Sequence, residues 1–135
     1  MDVNGAYRYL AMDDLTVEKI IEIHDEVIAN YEGTSGLLSE ATLDYLVYRL
    51  NREKRVLRRA ALAMRAIGSQ HPFIDGNKRT ALIVSENILG QEGLYLNLDD
   101  DRIVEFMLGV ASYKFRPEEI EQWIQDHAVA LEKQV

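Results

Sequence analysis

The sequence predicts an all-α protein, a compact six-helix bundle with an anion-binding loop at the start of a central buried helix. Apolar residues recur at helical spacing in six successive segments, and no alternating run supports a substantial sheet. Capping and breaking residues (Thr16, Ser39, Pro72, Gly90 and Pro117) fall between those segments. The chain has 135 residues, 47% of them hydrophobic. That is enough apolar surface for one domain with a core of its own.

A single domain is expected over residues 1–135, with residues 1–10 poorly structured and Tyr7–Leu10 forming at most a short strand. Thr16 caps a first helix with Val17, Ile20, Ile21, Ile23, His24, Val27 and Ile28 on its apolar side. His24 reads there as a structural or exposed residue, and so does His127 near the C-terminus. Residues 31–36 have loop chemistry. Ser39 caps a second helix that presents Leu43, Leu46, Val47 and Leu50. A third is expected from about Glu53 to Gly68, its alanines allowing close approach of a neighbour. His71-Pro72 interrupts it, since proline disfavours helical geometry at the residue before it.

The fourth helix is expected to start near Gly76 or Asn77 and run to Leu89. It is apolar over most of its circumference, which makes it the central helix. Gly90 and Gly93 end it, and Leu94–Leu96 form a short extended connection. Asp99 or Asp100 caps a fifth helix to about Ala111. Pro117, Glu118 and Glu119 open the sixth, where proline and negative charge are favoured. Trp123 is expected to anchor it to the core.

Composition excludes several classes of function. There is no cysteine, hence no disulfide framework, zinc-thiolate site or thiol nucleophile. No apolar stretch approaches the roughly 20 residues that span a bilayer. The start, MDVNGAYRYLAMDD, lacks the basic and apolar regions of a signal peptide. A cytoplasmic protein without a membrane partner is expected. The net charge of -8 argues against general nucleic-acid binding. Its distribution is uneven: residues 51–90 carry eight bases and three acids, while both flanks are strongly acidic. The basic middle reads either as a local anion site or as a solvated helix face formed by Arg52, Lys54, Arg55, Arg58, Arg59 and Arg65.

The chemistry concentrates in His71-Pro72-Phe73-Ile74-Asp75-Gly76-Asn77-Lys78-Arg79-Thr80. Free N–H groups at a helix start bind anions. Gly76 lets the backbone approach a ligand, and Lys78 and Arg79 add positive charge where a phosphate would lie. Asp75 could hold Mg²⁺, which is bound through one or two carboxylates plus substrate phosphates; as a carboxylate it could equally cap the helix. The His71 imidazole can serve as a general base. These residues describe a phosphate-binding loop beside a base without naming a reaction. Neither GxxxxGK(S/T) nor GxGxxG is present.

The stretch HPFIDGNKRTA resembles the signature of the Fic/DOC family, HxFx(D/E)GN(G/K)R, at every fixed position. The loop GTSGLLSEATLD and the closing EEIEQWI extend the likeness toward the short Doc-like ("death on curing") toxin branch. The resemblance implies a Fic/DOC fold and a catalytic role for His71, which deprotonates a target hydroxyl. It implies that Phe73 fixes the loop, that Asp75 holds Mg²⁺, and that Gly76, Asn77, Lys78 and Arg79 bind nucleotide phosphates, Arg79 also stabilising the transition state. ATP is the implied substrate.

Two positions depart from the AMP-transferring pattern HPFxxGNGRxxR: Lys78 replaces its second glycine and Leu82 its second arginine. Both are similar to the Doc branch, whose members transfer the terminal phosphate. The expectation is therefore a protein kinase toxin acting on a Ser/Thr hydroxyl, with a translation elongation factor as the expected target class. AMP or NMP transfer through the same residues is the alternative, and a non-enzymatic protein-binding module is the alternative of another class. The inhibitory pattern (S/T)xxxE(G/N) is absent, because Glu32, Glu86 and Glu92 follow Ile28, Leu82 and Ile88 at that spacing. Restraint by a separate antitoxin chain is expected instead. Arg52, Lys54 and Arg55, between the second and third helices, correspond loosely to the family's target-docking flap.

Overall fold

The structure is a computed structural model describing residues 15–131. The expectations for residues 1–10 and for a strand at Tyr7–Leu10 lie outside the described residues. Among the described residues six helices follow one another: α1 (Val17–Tyr31), α2 (Glu40–Leu50), α3 (Val56–Gln70), α4 (Asn77–Gly90), α5 (Asp100–Ala111) and α6 (Pro117–His127). This is the all-α bundle the periodicity predicts. Among the described residues, no helix is long and apolar enough to cross a membrane.

The helix starts follow from local chemistry. The Thr16 hydroxyl accepts the Lys19 N–H at 3.2 Å, the Ser39 hydroxyl accepts that of Thr42 at 3.2 Å, and the Asp99 carboxylate accepts that of Arg102 at 2.9 Å. Each satisfies a donor that the first helical turn leaves open. At α6 the Glu119 carboxylate reaches back to the Arg116 N–H at 2.8 Å. α3 begins at Val56 rather than Glu53. The Glu53 carboxylate takes the Arg55 N–H at 3.1 Å and the guanidiniums of Arg55 and Arg58 at 3.3 Å each, contacts that hold residues 53–55 outside the helix. α3 also outlasts its expected end at Gly68 and stops at Gln70.

α3 and α4 form the central pair, with α2, α5 and α6 packed on α3 and α1 packed on α4. Close approach comes from small side chains: Ala60, Ala63 and Ala81 are wholly buried. The buried Ser85 hydroxyl lies 3.0 Å from the Ala60 carbonyl of the facing helix and 2.8 Å from the Ala81 carbonyl of its own. A polar atom at the core is thereby satisfied. Trp123 stacks on Phe106 with ring centres 3.8 Å apart, and Phe106 stacks in turn on Phe115 at 4.6 Å. This aromatic run fastens α6 to α5.

The extended connection at Leu94–Leu96 is a strand, β1. It pairs antiparallel with β2 (Ala128–Ala130), Leu94 opposite Ala130 and Leu96 opposite Ala128. The ladder ties the exit of α4 to the end of α6.

Candidate active site

The site is built where α3 ends and α4 begins. His71 closes α3 in the left-handed region, at φ 51° and ψ 61°. A non-glycine residue there costs on the order of 1 kcal/mol or more, and Pro72 prevents the helix from continuing. The turn leaves the His71 imidazole exposed, with no hydrogen-bond or ion-pair partner among the described residues. A ring so placed is open to a proton from a bound substrate.

The residues after it are braced on both sides. Phe73 is 1% exposed and faces the His24 ring of α1, with centres 3.7 Å apart and planes nearly parallel. The Asn77 side chain clamps the Phe73 backbone, its Oδ1 accepting the Phe73 N–H at 3.0 Å and its Nδ2 donating to the Phe73 carbonyl at 2.8 Å. His24 is buried, so of its two expected roles the structural one holds. Its Nε2 lies 2.8 Å from the Asp75 carbonyl. A carbonyl only accepts, so the contact places the ring proton on Nε2.

Residues 33–39 strap the loop from outside. The Thr34 N–H donates to Asp75 Oδ2 at 3.0 Å, and the Gly76 N–H to Asp75 Oδ1 at 2.8 Å. The Leu38 and Ser39 N–H groups both donate to the Pro72 carbonyl, at 2.7 and 3.0 Å, and Ile74 returns a bond to the Gly36 carbonyl at 3.0 Å. Gly33 allows close approach: a Cβ there would stand 2.9 Å from Asp75 Oδ2 and 2.7 Å from Ile28 Cδ1, so both side chains would have to shift. Gly76 is required twice, by its φ of 77° and by packing, since its Cβ would meet Ile28 at 3.2 Å.

The N–H groups of Thr34 and then Gly76 hold the Asp75 carboxyl below the ordinary aspartate range; burial opposes them weakly and Lys78 adds a smaller favourable charge. A depressed carboxyl stabilises the fold above its unfolded value of about 3.9 and loses that contribution as pH falls through the lower folded value. The melting-temperature difference between wild type and Asp75→Asn is therefore expected to be present at neutral pH and to shrink below about pH 4. Parallel thermal melts across that range check it.

At the start of α4, Gly76 provides no side-chain cap. The first-turn N–H groups of Asn77, Lys78 and Arg79 are thus available to an anion, with the helix dipole adding favourable potential. The Lys78 and Arg79 side chains are exposed beside them. The Arg79 guanidinium lies 3.7 Å above the Tyr31 ring at the end of α1, a stacking contact that holds the cation near the loop. Among the described residues, no group of three or more His, Asp or Glu side chains could cage a metal. Asp75, exposed and ionised, suits the kind of Mg²⁺ site that phosphates and water complete.

His71, Phe73, Asp75, Gly76, Asn77, Lys78 and Arg79 thus come together on one loop and helix start. His24, Tyr31, Gly33 and Thr34 join them without having been singled out for the site in the sequence. A histidine on an apolar helix face is the only sequence signal for His24; Gly33 and Thr34 open the stretch GTSGLLSEATLD that extends the family likeness, and nothing local marks Tyr31. Arg52, Lys54 and Arg55 lie on the α2–α3 connection. Arg52 stacks on Tyr48 at 3.6 Å and Arg55 pairs with Glu53 at 3.3 Å. The segment that pairs with the motif loop is residues 36–39. Of the other basic residues, Arg59 holds the Leu50 carbonyl and the Gln91 side chain, both at 3.2 Å.

The family model of the Fic/DOC family matches residues 14–89, more than half of the chain, and takes in the strap, the central helix pair and the motif loop. No curated protein matches the chain. Fic/DOC proteins are typically nucleotide-transferring enzymes that generally use ATP and Mg²⁺. On its motif, its helical fold and this match, the chain belongs to the Fic/DOC family.

Proposed function

We propose that the protein is a Doc-like kinase that transfers the γ-phosphate of ATP to a Ser/Thr hydroxyl of a protein target. A translation elongation factor is the proposed target class, and a separate antitoxin the proposed restraint. The observation that carries this reading is the second turn of α4. Where AMP transferases have a second arginine, Leu82 is half-buried and packed against the core. The site therefore has one motif arginine, Arg79, joined by Lys78 at the first turn. Leu82 in place of the second arginine removes one bidentate phosphate contact, and Lys78 puts a point charge where AMP transferases keep bare backbone.

The chain's residues divide the work. His71 takes the hydroxyl proton as the oxygen attacks the γ-phosphorus. The bond to the β,γ-bridging oxygen breaks and ADP leaves. The first-turn N–H groups, Lys78 and Arg79 hold phosphate oxygens and stabilise the charge of the transition state. His24, Asn77 and the strap keep the loop rigid, so that positioning rather than covalent chemistry supplies most of the acceleration. Mg²⁺ held by Asp75 would neutralise phosphate charge.

The nucleotide product tests the proposal. Incubation with target-containing lysate and Mg-ATP is expected to yield ADP, in amounts that match phosphate incorporated into protein. Release of pyrophosphate would assign AMP transfer through the same residues.

A further inference from the structure

A groove of about 290 Å³ lies between α2, α3 and α6, lined by Tyr45, Arg49, Arg58, Arg65 and Gln70 among others. A recess of about 280 Å³ shares Tyr45 and Arg49 with it and continues to Tyr48 and Arg52. No residue from His71 to Arg79 lines either one.

The charges in this trough are unevenly matched. Its carboxylates are already engaged: Glu53 with Arg55 and Arg58 at 3.3 Å, Glu121 with Arg58 at 3.7 Å, and Glu118 with Arg116 at 3.4 Å. Arg49, Arg52 and Arg65 have no carboxylate partner among the described residues. Arg65 is the most informative. Its Nε is shielded from solvent and has no hydrogen-bond acceptor. A buried donor without a partner is costly, and an acceptor entering the groove would relieve that cost. The trough also has an aromatic edge. Tyr45 and Tyr48 are exposed and stacked at 6.3 Å, with Arg52 3.6 Å above Tyr48 and Arg49 5.9 Å from Tyr45. Tyrosine and arginine are the residues that dominate protein-binding hot spots.

We propose that this trough docks an acidic segment of a partner protein, with carboxylates meeting Arg65, Arg49 and Arg52 and apolar side chains lying on Tyr45 and Tyr48. A short peptide fits better than a nucleic acid, because an extended run of phosphates would be repelled by the protein's net charge of -8. The site does not depend on the nucleotide chemistry. Gln70, which lines the groove, directly precedes His71 in the chain, so a docked segment reaching it would lie near the motif loop.

Fluorescence anisotropy on the full chain tests this with three labelled probes: a short peptide rich in glutamate and leucine, its lysine-for-glutamate counterpart, and a single-stranded oligonucleotide of matching charge. The acidic peptide is expected to bind best, and an Arg49→Glu/Arg52→Glu variant with an unchanged melting temperature to bind it at least about tenfold more weakly. The Arg65 Nε–H resonance is expected to shift as the acidic peptide is added to the wild type. Equal binding of the lysine peptide, tighter binding of the oligonucleotide, undiminished binding by the variant, or an unmoved Arg65 resonance would each overturn the proposal.

Discussion

Replacing His71 with alanine is expected to lower phosphoryl transfer by at least about a hundredfold while leaving Mg-ATP affinity within about twofold of wild type. The two effects separate because the imidazole and the anion site are built from different parts. His71 is the exposed cap of α3, held left-handed and without a polar partner among the described residues. The N–H groups proposed to hold phosphate belong to the first turn of α4, on the far side of the Phe73 anchor. Removing an exposed ring leaves that anchor untouched. Single-turnover transfer and calorimetric titration with Mg-ATP check both halves. Transfer persisting near the wild-type rate would remove His71 as the base.

A second large effect is expected from Asn77→Ala, and here it falls on stability. The side chain satisfies both the N–H and the carbonyl of buried Phe73. Truncation leaves two buried backbone groups unpaired, at a cost of about 3 kcal/mol in total. The melting temperature is expected to fall by roughly 10 °C. Asn77→Asp keeps an acceptor for the Phe73 N–H but loses the donor to its carbonyl, so it is expected to fall between the two. Differential scanning calorimetry of the three proteins checks the order. An alanine variant as stable as wild type would show that Asn77 does not brace the loop.

The bundle was legible because its signals are local. Thr16, Ser39 and Asp99 are caps that act within three residues, and the apolar stripes repeat every few positions. The motif was legible because its functional types lie side by side between His71 and Arg79. What holds the motif in place was not. The Asp75 carbonyl meets His24 across 51 residues of chain, and its carboxylate meets Thr34 across 41. No local pattern encodes such pairings; they follow from α1 packing on α4. The same is true of Tyr31 under Arg79. β1 is legible as an extended segment at Leu94–Leu96, but its partner β2 is not, because three residues are too few to display an alternation; α3 starts later than its periodicity predicts because the Glu53 carboxylate competes for the backbone.

The lysine at position 78 and the leucine at position 82 make the reaction a question of which end of the nucleotide is transferred. Intact mass spectrometry of proteins incubated with Mg-ATP and either the wild type or His71→Ala addresses it most directly. The account predicts that a target gains the mass of one phosphate with the wild type and none with the variant. A target that gains the mass of one AMP, or the same phosphate with both proteins, would contradict it.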